Sequence, residues 1–215
     1  MTITHWLGLP RVDWKETVAV KINPKKLRGQ WREGYALDVQ TTSATFLGYN
    51  AFGHPEFDTT RSPLGELVYQ LKYRGNRTGI PEIVDTVAGF LRDWRIEVDG
   101  LVPVPPSNTG RKSQPVVELA RAISERTGIA LRDGCVKKVK NTGQLKDVFE
   151  FGKRAAILKN AFAAERSLTE GTRLLLFDDL YRSGATAAAV TQALMDEGGA
   201  AAVFFLALTR TRSKL

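Results

Sequence analysis

The chain of 215 residues has one cysteine, two histidines and two methionines. A single thiol, Cys135, excludes any intrachain disulfide, and it reads as a small buried apolar residue beside a strand. With only His5 and His54 added, a zinc finger or ribbon cannot be assembled from this sequence. No apolar run approaches the ~20 residues a membrane span needs; the longest, residues 198–208, is about half that. Arg11, Asp13, Lys15 and Glu16 interrupt the amino-terminal stretch, so a secretory signal is not expected and a cytoplasmic address is. The Gly-x-x-x-x-Gly-Lys-Ser/Thr pattern is missing, which weighs against a kinase-like phosphate site. Acidic side chains are the scarcer sign: 23 Asp and Glu face 31 Lys and Arg, a net charge of +8. That balance favours polyanionic partners, phosphates or nucleic acid.

Hydrophobic periodicity divides the chain near residue 60. Residues 1–60 are rich in Thr, Tyr, Trp, Phe and Gly. Residues 17–22 predict a strand, residues 35–48 a strand and hairpin, and residues 50–60, with Gly53, Pro55 and Asp58, a loop. Ser62 and Pro63 then form a helix start, with Leu64, Leu67, Val68 and Leu71 at helical spacing up to Gly75. A second helix is predicted from Pro81 to Trp94. Beyond it, strands are predicted at 100–105, 135–139, 161–163, 174–177 and 202–208. Helices fall between them, around 116–123, 151–158 and 187–197. Repeated alternation of short apolar strands with helices predicts an α/β fold, a parallel doubly wound sheet over residues 61–215. Residues 1–60 then make a β-rich hood or subdomain. No internal repeat is visible.

The densest chemistry follows the 174–177 strand. Asp178 and Asp179 stand at its carboxyl end, where open α/β sheets bind ligands. Adjacent carboxylates there can accept from vicinal hydroxyls or hold waters of a Mg2+ ion. Arg182, Ser183, Gly184, Ala185 and Thr186 then turn into a helix. Glycine permits close backbone approach, and free amides at a helix start point at an anion. An acid pair followed by a phosphate cradle outlines a ribose 5-phosphate.

This segment resembles the signature of type I phosphoribosyltransferases, which bind phosphoribosyl pyrophosphate (PRPP). The pattern is four apolar residues, two acids, two apolar residues and a Ser/Thr-Gly-x-Thr loop. Tyr181 stands where an aliphatic residue is usual and Arg182 where a small one is. The resemblance implies that Asp178 and Asp179 are catalytic, gripping the ribose hydroxyls and, through water, Mg2+. The 182–186 loop would bind the 5-phosphate. Further segments resemble the ComF-like subfamily, without its usual amino-terminal zinc module. Leu71, Lys72, Tyr73, Arg74 and Gly75 match a Leu-Lys-Tyr-x-Gly segment. Val104, Pro105, Pro106, Ser107 and Arg111, with Lys72 and Arg74, are implied on the pyrophosphate side. Lys140, Thr142, Gln144 and Arg154 are implied in a flexible loop that closes over the substrate.

Simpler readings stand beside these. Pro103 and Pro105 suit a stiffened strand end, Lys72 and Arg74 suit helix-end cations, and Trp6, Trp14 and Trp31 suit core or hairpin packing. The expected function is transfer of ribose 5-phosphate from PRPP to a nucleobase-like or amine acceptor, with release of pyrophosphate. The alternative is a non-catalytic PRPP or nucleotide sensor, or a binder of single-stranded nucleic acid. A second copy of the chain is a further candidate partner; a membrane is not.

Overall fold

A computed structural model describes residues 19–106, 114–140 and 151–212, apart from the side chains of residues 151 and 154. Its centre is a five-stranded sheet. In chain order the elements begin with β1 (Lys25–Lys26), β2 (Glu33–Val39), β3 (Thr41–Tyr49), β4 (Pro55–Arg61), α1 (Pro63–Arg74) and α2 (Ile80–Trp94). There follow β5 (Gly100–Pro103), α3 (Pro115–Thr127), β6 (Val136–Lys138), α4 (Phe151–Leu158) and β7 (Phe162–Ala164). The chain ends in α5 (Arg166–Thr169), β8 (Arg173–Tyr181), α6 (Ala185–Asp196) and β9 (Ala202–Arg210).

The sheet order is β1-β2-β9-β8-β5. Strands β2, β9, β8 and β5 run parallel, and the two-residue β1 adds antiparallel at the β2 edge. Leu174, Leu175, Leu176 and Phe177 of β8 are all fully buried. Their side chains alternate between two cores. Leu174 and Leu176 pack with Ala185, Ala187 and Val190 of α6 on one face. Leu175 and Phe177 pack with Leu64, Val68 and Leu71 of α1, and with α2 and α3, on the other. Cover on both faces is why the strand sequences are continuously apolar, and it makes the fold the doubly wound α/β arrangement expected. Cys135 is buried, and burial pushes its thiol up to about 11. Trp31 lies in the α6-side core and donates through Nε1 to the Leu27 carbonyl at 3.1 Å.

Several local expectations change. Of the strand expected at 17–22, residues 17 and 18 lie outside the described residues and 19–22 form no strand. The amide of Val20 is satisfied instead by Thr86 Oγ1 at 3.0 Å. Residues 25–39, expected in the amino-terminal segment, join the central sheet, where β2 pairs along β9. The loop expected at 50–60 is a tight turn followed by β4, which pairs antiparallel with β3. Asn50 Oδ1 accepts from the amides of Phe52 and His54, both at 3.0 Å, and this closes the turn. Thr59 and Thr60 with Phe57 supply the β-favouring residues that Gly53 and Pro55 obscure. The strands at β6 and β7 stay out of the parallel sheet and form their own antiparallel ribbon.

Helix α1 is placed by its start. Ser62 Oγ accepts from the Gly65 amide at 3.0 Å and donates to the Val39 carbonyl at 2.6 Å. A Cβ on Gly65 would collide with the Gln40 carbonyl. So α1 begins against the carboxyl end of β2. Ten residues further on it has advanced about 15 Å, enough to cross the two strand spacings of about 5 Å each that separate β2 from β8.

Candidate functional site

Strand β8 outlasts its neighbour β5. The two pair only as far as Pro103 opposite Phe177, and the Val104 amide closes the ladder on the Phe177 carbonyl at 2.8 Å. On the other side β9 accompanies β8 through Asp178, Leu180 and Tyr181. Asp178 and Asp179 therefore sit three and two residues before the strand ends at Tyr181, at the mouth of the crevice left where β5 departs. The sequence had placed the strand end at Phe177. The real end is Tyr181, because Thr209 and Arg210 continue to supply backbone partners.

Neighbouring strand residues point to opposite faces, and this separates the two acids. Asp179 shares the face of Leu175 and Phe177, beneath α1. It is buried, and its Oδ2 lies 2.7 Å from Lys72 Nζ. Burial works against the Lys72 ammonium, but the Asp179 charge and hydrogen bond outweigh it and hold the lysine pKa above its ordinary value. Asp178 shares the face of Leu174 and Leu176 and is half-buried. Its Oδ1 accepts from the Asp179 amide at 2.9 Å. Burial, and then the Asp179 charge beside it, push the Asp178 carboxyl well above the usual aspartate range, against the pull of Lys72.

The loop then turns on Gly184, at φ 80° and ψ −4°, as the residue before α6. The first bond across the helix start runs from the Ala188 amide to the Gly184 carbonyl at 2.8 Å. The amides of Ala185, Thr186 and Ala187 therefore precede the helical ladder and face the loop. No side chain caps this helix. Ser183 Oγ reaches the Ala185 amide only at 3.5 Å, a long contact. Asp178, Tyr181, Ser183, Gly184 and Thr186 line a small cleft here, with Phe205 at its base. Arg182 is exposed at its rim.

The structure thus brings together Asp178 with the 182–186 loop, and Asp179 with Lys72. Lys72, expected on the pyrophosphate side, faces Asp179 because α1 crosses the sheet towards β8. Arg74 does not join it; it is exposed, with its guanidinium 5.9 Å from the Tyr69 ring. Val104 is a core residue and Pro105 and Pro106 are half-buried beyond β5, next to β8. Lys140 is exposed after β6. Ser107, Arg111, Thr142 and Gln144 lie outside the described residues, as does the side chain of Arg154. Tyr181, one of the two positions that depart from the family pattern, takes a packing role. The Tyr181 ring packs near Trp31 and Phe205, at centroid distances of 6.3 and 6.0 Å, and covers Gly184.

No family model matches the chain, and no curated protein does. Among solved structures, adenine phosphoribosyltransferase from Saccharomyces cerevisiae is similar at 12% identity, over 77% of this chain and 83% of that one, with a TM-score of 0.43. Glutamine phosphoribosylpyrophosphate amidotransferase from B. subtilis is similar at 20% identity, over 74% of this chain but 34% of that one, with a TM-score of 0.43. Adenine phosphoribosyltransferase from Leishmania tarentolae is similar at 10% identity, over 87% and 94%, with a TM-score of 0.40. At these scores the likeness carries no argument, and the site stands on its own geometry. Among the described residues, no helix is long and apolar enough to cross a membrane.

Proposed function

We propose that the chain is a phosphoribosyltransferase that binds PRPP and passes its ribose 5-phosphate to a nitrogen acceptor, releasing pyrophosphate. One observation carries this reading: a half-buried acid on β8 and the uncapped start of α6 open into the same cleft, joined by a left-handed glycine. The amides of Ala185 to Ala187 and the hydroxyls of Ser183 and Thr186 suit the 5-phosphate. The helix dipole adds roughly 0.3–1 kcal/mol. Asp178 suits a ribose hydroxyl. The Val104 amide donates to the Phe177 carbonyl next to the acids, and the pyrophosphate would sit on this side.

Among the described residues no three of His, Cys, Asp and Glu gather into a metal cage. With Asp179 committed to Lys72, the donor set fits a Mg2+ ion that arrives on the substrate's phosphates and is held through water by Asp178. Such an ion would neutralise the leaving pyrophosphate. The rest falls to the chain: the 182–186 loop anchors one end of the sugar, and Asp178 stabilises positive charge developing on the ring. The ComF-like Leu71–Gly75 motif supports placing Lys72 near this site, where it meets Asp179. The β3–β4 hairpin, which stands off the sheet with Phe46, Tyr49 and Phe57 exposed, suits a hood on the acceptor side.

Calorimetric titration with PRPP and magnesium, followed by a nucleobase panel scored for pyrophosphate release, tests the reading. Saturable binding and release with one base are expected. Absence of PRPP binding removes it, and binding without release with any acceptor leaves a sensor.

A second reading has its own observation. The Arg61 guanidinium lies 3.6 Å from the Tyr69 ring centroid, Arg74 approaches the same ring, and Tyr73 beside them is 60% exposed. Cations interleaved with aromatic rings suit single-stranded nucleic acid. No retention on a single-stranded oligonucleotide at low salt eliminates it.

A further inference from the structure

The two acids are chemically alike in sequence, yet the fold treats them unequally. Asp179 turns under α1 and meets Lys72 Nζ at 2.7 Å, with side-chain exposures of 9% and 23%. Asp178 lines the cleft of the 182–186 loop, and Asp179 is not among its lining residues. Three features fix the contact with Lys72: the Ser62 cap on the carboxyl end of β2, the close approach of Gly65 to Gln40, and the burial of Val68 and Leu71. The pair joins residues 107 apart in sequence, so it is a product of the fold rather than of local geometry.

We propose that Lys72 is the positioning residue of the acid pair: by holding Asp179 against α1 it leaves Asp178 as the carboxylate that meets a sugar hydroxyl in the loop cleft. The ligand class is a phosphorylated sugar with a free hydroxyl next to its anomeric carbon. This rests on the sugar-phosphate reading of the loop. The backbone links the acids directly, since the Asp179 amide donates to Asp178 Oδ1 at 2.9 Å. Movement of Asp179 therefore moves the acceptor oxygens of Asp178. Releasing Asp179 from Lys72 would also leave its charge uncompensated beside Asp178, so Asp178 would lose its fixed orientation.

The test compares three probes by calorimetry on the full chain: ribose 5-phosphate, 2-deoxyribose 5-phosphate and inorganic phosphate. Wild type is expected to prefer ribose 5-phosphate over the deoxy sugar by about tenfold, as for a hydrogen bond to a charged group. Lys72→Met should erase that preference while affinity for inorganic phosphate changes less than about twofold. Lys72→Arg, which keeps the charge, should restore most of it. If Lys72→Met fails to fold, the double variant Lys72→Met with Asp179→Asn, which buries no lone charge, reads the same preference and should lack it. A Lys72→Met or double variant that keeps the full preference overturns the proposal and leaves the loop reading intact. Wild type that binds none of the three probes removes the loop reading and this proposal together.

Discussion

The Tyr181 ring occupies the space into which a side chain on Gly184 would grow: a Cβ there would lie 2.8 Å from both Cε2 and the hydroxyl of Tyr181. Gly184 is also in the left-handed region at φ 80°. Gly184→Ala should therefore cost about 2–3 kcal/mol, from backbone strain plus overpacking. Urea unfolding should show this as a lower midpoint with an unchanged slope. Adding Tyr181→Leu should recover the overpacking share and leave the backbone share. A Gly184→Ala variant as stable as wild type would mean that the loop is not held in this form.

The acids should separate by stability as well as by ligand. Asp179→Asn strands the Lys72 ammonium in a mostly buried position, at an expected cost of about 1–3 kcal/mol. Asp178→Asn removes a like charge from beside Asp179 and should leave stability within about 0.5 kcal/mol of wild type, or slightly above it. Chemical denaturation of the two single variants reads the difference. Equal losses would show that the faces do not divide the pair.

At the amino end of β8, Arg173 binds Asp99 through two side-chain hydrogen bonds of 3.2 and 3.0 Å, and its amide donates to the same carboxylate at 2.8 Å. The Arg173 side-chain and backbone hydrogen bonds hold Asp99 down to about 2. An unfolded aspartate titrates at about 4. A carboxylate depressed in this way stabilises the fold above pH 4, and that contribution is lost as the pH falls through 2. Asp99→Asn should flatten the stability profile between those values. The effect should be small, because both side chains are about 40% exposed and solvent screens the pair. Melting curves from pH 5 to pH 2 provide the measurement, and an unaltered profile would assign the acid loss to other carboxylates.

The β3–β4 hairpin contributes little to either core. Phe46, Tyr49 and Phe57 stack on one another at 5.3 and 5.5 Å yet are each at least half exposed. Replacing residues 43–59 by a short Gly/Ser turn should leave the melting temperature within a few degrees, about the scale of 1 kcal/mol for a domain this size. Affinity for inorganic phosphate should persist, while transfer to an acceptor should fall. Unfolding of the shortened chain would assign the hairpin a structural role instead.

Local order determined much of this protein. The helix bounds of α1 follow from Ser62, Pro63 and Gly75, which act within one turn of the chain. The alternation of strands and helices, with strand residues apolar on both faces, was enough for the doubly wound class. The acid pair and glycine loop were legible because their spacing along the chain is their spacing in space. Tertiary structure decided the rest. β2 had no sequence mark showing that it pairs with β9, since strand pairing across some 170 residues depends on edges that only the folded sheet creates. Nor could the sequence say that Asp178 and Asp179 part company, with one under Lys72 and the other at the loop. That outcome depends on where β5 ends and on the path of α1 across the strands, and both are set by packing rather than by any residue's own preference.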